Sequence, residues 1–302
     1  NRHGGYTEDN GGNGMEWLSG LNDAMNYIEA HLEDEIDMQK AAQLACCSAF
    51  HFQRVFSYLA DVPYGEYIRR RKMTKAAFDL TNGNEKIIDI ALKYGYDSPT
   101  AFNRAFQSIH GIAPSAAREE GVRLKAYPPI SFRITVKGEA EMNYRIQQKD
   151  TIRIVGVKER YPLNNEQNFA EIPLFWQKTT QRGVIPQLCG LMNREPLGVL
   201  GVCADMDDKE FDYYIAVASD GPTPQGLSEY TIPAATWAIF ECVGAMPTAI
   251  QEMQKRIVSE WLPNSDYEYA NAPDIEVYFE GDQYAEDYRC EVWLPVVQKT
   301  HQ

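Results

Sequence analysis

The sequence lacks the features of membrane proteins and of zinc-binding domains. It has no apolar run near the roughly 20 residues that a membrane-spanning helix needs. Its 6 cysteines form no Cys-x-x-Cys pair, and no cysteine lies at zinc-site spacing from one of the 5 histidines. We therefore expect a cytoplasmic protein with no membrane partner and no structural metal.

Signatures of catalysis are also missing. We find no nucleophile–base motif, no glycine-rich phosphate loop and no set of metal ligands in the chain. We therefore expect no enzyme and no cofactor. A Glu–Tyr pair in the second half can serve general acid–base chemistry, which keeps an enzyme as the weakest of the alternatives.

The first fourteen residues are polar and rich in glycine, unlike a secretory signal. Such a segment cannot bury apolar surface, so we expect Asn1–Gly14 to be a disordered tail or to be foreign to the native protein. Met15, where a helical pattern begins, is the expected native start.

Positive charge is scarce overall but not everywhere. The formal net charge is −14, yet residues 67–125 contain 11 basic and 6 acidic side chains. A nucleic acid meets the local surface of a protein and not its total charge. The acidic sum therefore does not exclude DNA binding by the first domain.

A repeat lies in the first 120 residues. SAFHFQRVFSYL, from Ser48, is followed 50 residues later by SPTAFNRAFQSI, from Ser98. Phe52, Arg54 and Phe56 of the first copy recur as Phe102, Arg104 and Phe106. Apolar residues at i, i+3, i+4 and i+7 predict one amphipathic helix in each copy, with the serine as its N-cap.

A short helix precedes each copy, over residues 38–45 and 87–94, with small Ala41 and Ala91 at matching places. Residues 64–80 predict a long basic helix between the copies. Two helix-turn-helix units joined by a basic helix favour a DNA-binding domain over residues 15–121. The alternative is an ordinary helical bundle whose polar faces contact only water.

The outward faces of the two repeated helices carry side chains suited to reading base edges. Arginine, asparagine and glutamine can form paired hydrogen bonds with bases, and phenylalanine or threonine can contact a thymine methyl group. The predicted readers of the major groove are Phe50, Gln53, Arg54, Ser57, Thr100, Asn103, Arg104 and Gln107.

This first domain resembles the AraC/XylS family of bacterial regulators. The resemblance rests on YIRRRKM (67–73), IALKYGYDS (90–98), FNRAF (102–106) and GIAP (111–114). It implies two recognition helices in successive major grooves on one face of double-stranded DNA. Asp61 stands where the family usually has glycine, and aspartate tolerates the left-handed turn better than most residues.

The second domain, residues 122–302, has the pattern of an α+β fold. Strands are predicted over 131–136, 142–146, 152–159, 197–204, 211–218, 230–242, 275–279 and 290–296, and helices over 166–182 and 246–261. Two tandem βαββ repeats with pseudo-twofold symmetry follow from this order. The junction of such halves favours a ligand groove.

Alternation along the predicted strands pairs acids with aromatic residues on one side. Glu276 and Tyr278 share a face, Glu291 and Trp293 share a face, and Asp212 and Tyr214 occupy the matching place in the first half. An acid among aromatic rings favours a cation. The alternative is a solvated sheet face with exposed acids and singly packed aromatics.

The second domain resembles the GyrI-like small-molecule-binding domain that follows AraC-type helices in Rob-like activators and in multidrug-sensing regulators. The motifs are PPISF (128–132), MNYR (142–145), IPLFW (172–176), EWLP (260–263) and EVWLPV (291–296). The resemblance implies a buried glutamate with aromatic walls. Glu276 and Glu291 match the acid, with Glu276 favoured, and the walls would be Trp176, Tyr278 and Trp293.

We therefore expect a transcriptional regulator that binds double-stranded DNA, RNA polymerase and a small cationic or amphipathic effector, located at the nucleoid. Besides the enzyme, one other alternative remains, in which the second domain binds a protein and no small molecule. Two helix-turn-helix units in one chain leave both a monomer and a dimer open.

Overall fold

The computed structural model describes residues 12–133, 141–162, 168–205, 210–270 and 272–299. The predicted tail, apart from its last three residues, and the end of the predicted strand 131–136 lie outside these ranges. Contacts divide the chain into two compact units, with the boundary in the chain between Arg133 and Ile134.

The first unit is helical, as the sequence predicts. Its elements are α1 (Gly12–Ala30), α2 (Met38–Leu44), α3 (Ala49–Ala60), α4 (Tyr64–Asn82), α5 (Ile87–Lys93), α6 (Pro99–His110) and a 3₁₀ turn (Ala116–Arg118). The pairs α2–α3 and α5–α6 are the two helix-turn-helix units, and the long helix α4 lies between them in the chain.

The two helix-turn-helix turns have the same backbone structure. In the first, Cys46 has φ of 52° and the Cys47 amide donates to the Ala42 carbonyl at 3.0 Å. In the second, Gly95 has φ of 81° and the Tyr96 amide donates to the Ala91 carbonyl at 2.9 Å. A left-handed residue followed by this hydrogen bond is the Schellman motif that ends many helices.

The recognition helices begin as predicted. Ser48 caps α3 and Ser98 caps α6 through their hydroxyl groups. After α3, Asp61 takes the left-handed conformation with φ of 52°, where Gly111 does the same after α6. Phe52, Phe56, Phe102 and Phe106 are all fully buried, so the repeated aromatic positions of the sequence form the core of the unit.

The segment after the 3₁₀ turn packs on the helices. Phe132 and Asn22 of α1 exchange two hydrogen bonds of 2.8 and 3.0 Å, and the Tyr127 amide donates to Thr74 Oγ1 at 3.1 Å. The helical unit therefore extends to Arg133. The boundary that the sequence suggests, after Gly121, lies within this unit.

The second unit is a mainly antiparallel sheet with helices. Its strands are β1 (Tyr144–Lys149), β2 (Ile152–Pro162), β3 (Val199–Ala204), β4 (Glu210–Ala218), β5 (Ser228–Ile232), β6 (Ala235–Val243), β7 (Tyr267–Tyr269), β8 (Ile275–Tyr278) and β9 (Arg289–Gln298). Its helices are α7 (Asn168–Gln181), α8 (Val184–Cys189), α9 (Thr248–Arg256) and α10 (Leu262–Asn264), with a π-helical turn (Ile257–Trp261) before α10.

The strand order shows the predicted pseudo-twofold symmetry. It runs β1-β6-β9-β8-β3-β4-β2-β5, with β7 paired to β9. The strands correspond in pairs: β1 to β5, β2 to β6, β3 to β8 and β4 to β9. When each strand is replaced by its counterpart, the order read from the opposite edge of the sheet is the same. The pair β3–β8 therefore lies at the symmetry centre, where Gly201 is opposite Glu276.

One strand prediction is wrong in detail. The predicted strand 230–242 is two strands, β5 and β6, because Pro233 between them has no amide hydrogen to continue a ladder. Each half is thus ββαββ, with the short strand β7 added in the second half, and the first strand of each half pairs with the other half: β1 with β6, and β5 with β2.

The two faces of the sheet bury different residues. One face, here called the helix face, packs Phe240, Val292 and Leu294 against residues of α9 and the π-helical turn. The opposite face buries a second cluster that includes Leu200, Tyr214, Trp237, Val277 and Trp293. Because side chains alternate along a strand, neighbouring residues of β8 and β9 belong to different clusters.

Candidate functional site

The outward side of α6 is open to solvent. Thr100, Arg104 and Gln107 are exposed and Asn103 is half-buried, while Phe102 on the inward side is fully buried. Four polar side chains with the predicted reading chemistry therefore share one accessible surface of this helix.

The outward side of α3 is more enclosed. Gln53, Arg54 and Ser57 are half-buried. Arg54 Nη2 donates to Tyr58 Oη at 3.1 Å and Ser57 Oγ donates to the Gln53 carbonyl at 2.8 Å. The side chain of Phe50 lies outside the described part of the structure. The two recognition helices thus differ in how freely they present their polar groups.

The basic residues of α4 mostly hold the helical unit together. Arg71 forms a two-point ion pair with Glu29 of α1, with N–O distances of 2.7 and 2.8 Å. Lys72 donates to the Tyr94 carbonyl at 3.1 Å, and burial lowers its pKa. Arg69 and Arg70 both pair with Glu66. Fewer positive charges are therefore available to DNA phosphates than the excess of basic residues over 67–125 suggests.

The Glu29–Arg71 pair is electrostatically strong. Burial alone would raise the pKa of Glu29, but hydrogen bonds from Arg71 and Tyr67 outweigh burial and hold this pKa below its usual value. Tyr67 Oη donates to Glu29 Oε1 at 2.6 Å. This pair links α1 to α4 beneath the first helix-turn-helix unit.

In the second unit, Glu276 lies on the helix face at the centre of the sheet and is half-buried. Its Oε1 accepts from Gln254 Nε2 of α9 at 2.6 Å. Its Oε2 accepts from Tyr278 Oη at 2.9 Å and from Tyr213 Oη at 3.5 Å. All three donors are neutral, and among the described residues no lysine, arginine or histidine contacts this carboxylate.

Aromatic rings surround Glu276. The ring centres of Trp176 of α7 and Tyr278 are 5.1 Å apart at an angle of 68°. Trp176 Nε1 donates to Tyr213 Oη at 2.9 Å. Burial first, and then the charge of Glu276, raise the pKa of Tyr278 well above its usual value, so Tyr278 remains a hydrogen-bond donor. The cluster is thus a carboxylate with aromatic rings beside it, to which α7 contributes Trp176 and α9 contributes Gln254.

The absence of a side chain at Gly201 leaves room for this cluster. A Cβ atom at position 201 would lie 2.4 Å from Tyr213 Oη and 3.1 Å from Glu276 Oε2. Any larger residue would therefore push the tyrosine hydroxyl away from the acid.

The other predicted ligand residues, Glu291, Trp293 and Tyr214, lie on the opposite face. Glu291 accepts from Trp293 Nε1 at 2.8 Å and pairs with Arg145 Nη2 at 2.9 Å. Because Val292 is opposite Glu276 in the sheet, the adjacent Glu291 faces the other way. The single pocket of the sequence prediction is thus divided between two faces.

Sequence reasoning missed Tyr213, Gln254 and Gly201. Gln254 had a visible signal, since it lies at i+4 from Ile250 and three residues before Ile257 on the inward face of α9, and a polar residue there needs a partner. Tyr213 had none, because its neighbour Tyr214 fits the pattern equally well.

A cavity of about 570 Å³ lies away from Glu276, beside the β1–β2 turn. Trp293 lines it, together with Lys149, Arg153, Arg194 and Glu195. Several of its charged groups are paired: Lys149 with Glu195 at 3.4 Å and Arg194 with Asp220 at 2.8 Å. The acidic residue Asp150 also lines this cavity, and the aromatic pair of Trp176 and Tyr278 that lies beside Glu276 is not part of its lining.

The described residues show neither a membrane-spanning helix nor a metal-binding cluster. No helix among them is long and apolar enough to cross a membrane. They also contain no group of three or more histidine, cysteine, aspartate or glutamate side chains placed to hold a metal ion.

Comparison with known proteins assigns both units. Residues 145–296 match the family described as integron-associated effector binding protein, and residues 41–120 match a helix-turn-helix domain. The right origin-binding protein of Escherichia coli K12 is 26% identical over 303 residues, covering 93% of this chain and 99% of that protein.

Two other similarities concern single units. The HTH-type transcriptional activator AarP of Providencia stuartii is 39% identical over 98 residues, 32% of this chain and 73% of that protein. A solved structure of SAV2435 bound to tetraphenylphosphonium is 32% identical, covers 52% of this chain and 94% of that chain, and has a TM-score of 0.48.

The family match over residues 145–296 covers half of the chain, and the helix-turn-helix match covers the unit in front of it. The chain therefore belongs to the integron-associated effector binding protein family and is a transcriptional regulator, with an AraC-type helix-turn-helix domain followed by a GyrI-like effector-binding domain.

Proposed function

We propose that the effector is a small lipophilic cation, that Glu276 is its ion partner, and that its binding modulates transcription. The observation that carries this proposal is the set of neutral donors on Glu276, in a cluster walled by Trp176 and Tyr278. A carboxylate without a cation attracts one, and ring faces add to that attraction.

A comparison within the same domain supports this proposal. Glu291 and Asp212 on the opposite face are already neutralised, Glu291 by Arg145 and Asp212 by Lys158 and Arg160. Glu276 is half-buried, while Gln254 and Tyr213 next to it are buried. The acid therefore keeps the partial exposure that a ligand needs to reach it.

The test is a titration of the full chain with tetraphenylphosphonium and with neutral triphenylphosphine oxide, by calorimetry. We expect Glu276→Gln to weaken cation binding by about tenfold or more, as one lost charge interaction of roughly 1.4 kcal/mol requires, and to change neutral binding little. Glu291→Gln is the matched control and should leave both affinities unchanged. Equal effects of Glu276→Gln on both compounds would contradict the ion pair.

For DNA, we propose that α3 and α6 read successive major grooves through the polar residues on their outward sides. The exposure of Thr100, Arg104 and Gln107 supports this role for α6.

The activator AarP among the relatives supports a further proposal, that the DNA-bound protein contacts RNA polymerase. A two-hybrid assay with polymerase subunits tests that contact, and no signal with any subunit would count against it.

A further inference from the structure

Tyr213 joins the effector cleft to α7. Its hydroxyl accepts from Trp176 Nε1 at 2.9 Å and donates to Glu276 Oε2 at 3.5 Å. The side chain is only 4% exposed, whereas Trp176 and Glu276 are both half-buried. Tyr213 thus connects two residues that are more exposed than itself.

The contact from Tyr213 is the weakest that Glu276 receives. Gln254 and Tyr278 donate at 2.6 and 2.9 Å, while Tyr213 lies at 3.5 Å, the outer limit of a hydrogen bond. We therefore expect a cation near Oε2 to weaken the Tyr213 contact first. Trp176, which donates to the same hydroxyl, would then be affected directly.

The helix that carries Trp176 is suited to respond. Pro173 lies inside α7, three residues before Trp176. Proline has no amide hydrogen and removes one hydrogen bond from a helix interior, so α7 is held less firmly by its own backbone at this point. The side-chain contact of Trp176 with Tyr213 therefore matters more for the position of α7.

Gly201 makes the connection possible. A Cβ atom at this position would lie 2.4 Å from Tyr213 Oη, and the far end of the tyrosine is the part that would move. Substitution at position 201 should therefore break the connection without removing any of its hydrogen-bonding groups.

We propose that Tyr213 is a positioning residue that transmits occupancy of Glu276 to α7 through Trp176. This inference rests on the proposed function, in which Glu276 binds the cationic effector. It adds the route by which binding changes the structure of the domain.

Hydrogen–deuterium exchange of residues 171–181 in the full chain tests the connection without any ligand. We expect exchange about fivefold faster in Tyr213→Phe, as the loss of one hydrogen bond predicts. Gly201→Ala should act in the same direction. Tyr214→Phe, one residue away on the opposite face, is the matched control and should leave exchange in α7 unchanged.

A second measurement repeats the exchange with saturating tetraphenylphosphonium. In the wild type the cation should alter exchange in α7. The cation affinity of Tyr213→Phe is measured alongside, so that both proteins are compared at saturation. At saturation, Tyr213→Phe should show no cation-dependent change in α7.

Different results would contradict the proposed effector class and the proposed transmission through Tyr213. If tetraphenylphosphonium does not bind the wild type, the proposed effector class is wrong, and exchange in the unliganded proteins still decides whether the connection exists. If α7 exchanges alike in wild type, Tyr213→Phe and Gly201→Ala, the transmission proposal is overturned. It is also overturned if α7 of Tyr213→Phe responds to the cation as the wild type does.

Discussion

Glu276 and Glu291 show how neighbours decide what a side chain can do. Both are glutamates on adjacent strands, near aromatic rings. Arg145 neutralises Glu291, whereas Gln254, Tyr278 and Tyr213 solvate Glu276 without neutralising it. The residue type suggests an ion partner at both positions, and only the contacts distinguish the candidate receptor from a structural ion pair.

The readers of α6 can be tested one at a time. We expect Arg104→Ala to weaken binding to a cognate operator by about 1–3 kcal/mol and to relax preference at one base pair, because its guanidinium is exposed on the outward side. Fluorescence anisotropy with a selected operator and its single-base variants measures both effects.

The control for that experiment is Arg194→Ala, which removes an arginine that is paired with Asp220 in the other unit. It should leave operator affinity unchanged. A uniform loss for Arg104→Ala on every DNA sequence, with no change of preference, would show that Arg104 contacts phosphates and not bases.

The Glu29–Arg71 pair should stabilise the helical unit. Arg71→Met leaves Glu29 charged and without its partner, at a cost of about 3 kcal/mol in the free energy of unfolding, near the lower end for buried pairs because Glu29 retains some exposure. Urea unfolding followed by circular dichroism measures this cost. Adding Glu29→Gln to Arg71→Met should recover part of it, and no recovery would contradict the explanation.

The same pair predicts a pH dependence. The pKa of Glu29 is lower in the folded protein than its usual 4.5, so its contribution is complete above that value and is lost as the pH falls through the folded pKa. The stability difference between wild type and Glu29→Gln should therefore shrink between pH 7 and about pH 3. A constant difference would contradict this.

At the scale of elements, the two helix-turn-helix turns offer a matched pair of substitutions. Both end their first helix with a left-handed residue, Cys46 or Gly95. We expect Cys46→Gly to stabilise the helical unit by about 0.5–1 kcal/mol, since glycine adopts this conformation without strain, and Gly95→Ala to destabilise it by about 1 kcal/mol.

Hydrogen–deuterium exchange of α2, α3, α5 and α6 in the full chain separates the two effects, since each substitution should act mainly on its own pair of helices. Cys46 is exposed, so the loss of its thiol removes little packing. Destabilisation by Cys46→Gly would show that the thiol makes a contact that matters more than the backbone strain.

Strand β4 shows why the sequence pattern could not identify every residue of the site. All residues of β4 except the first are buried, so polar and apolar residues do not alternate along it. Tyr213 and Tyr214 are therefore equivalent in the sequence, although they face opposite sides of the sheet. Glu276 and Tyr278, on the half-exposed side of β8, alternate with buried Ile275 and Val277 and could be predicted.

For the whole molecule, the predicted order of a twin helix-turn-helix unit and a symmetric α+β unit is confirmed. Repeated local patterns, such as the two serine caps and the two phenylalanine pairs, made the first unit predictable. The pairing of β1 with β6 and of β5 with β2 could not be predicted, since it joins residues about 70 to 100 positions apart along the chain through backbone hydrogen bonds that leave no side-chain pattern.

The exchange of β1 and β5 between the halves is the arrangement that two identical subunits would adopt in a strand-swapped homodimer. In a single chain the two halves need not be identical, and the cluster around Glu276 differs accordingly. The first half supplies Trp176 from α7 and the second supplies Gln254 from α9. The proposed effector site is thus asymmetric, although it lies at an axis that two identical subunits would have shared.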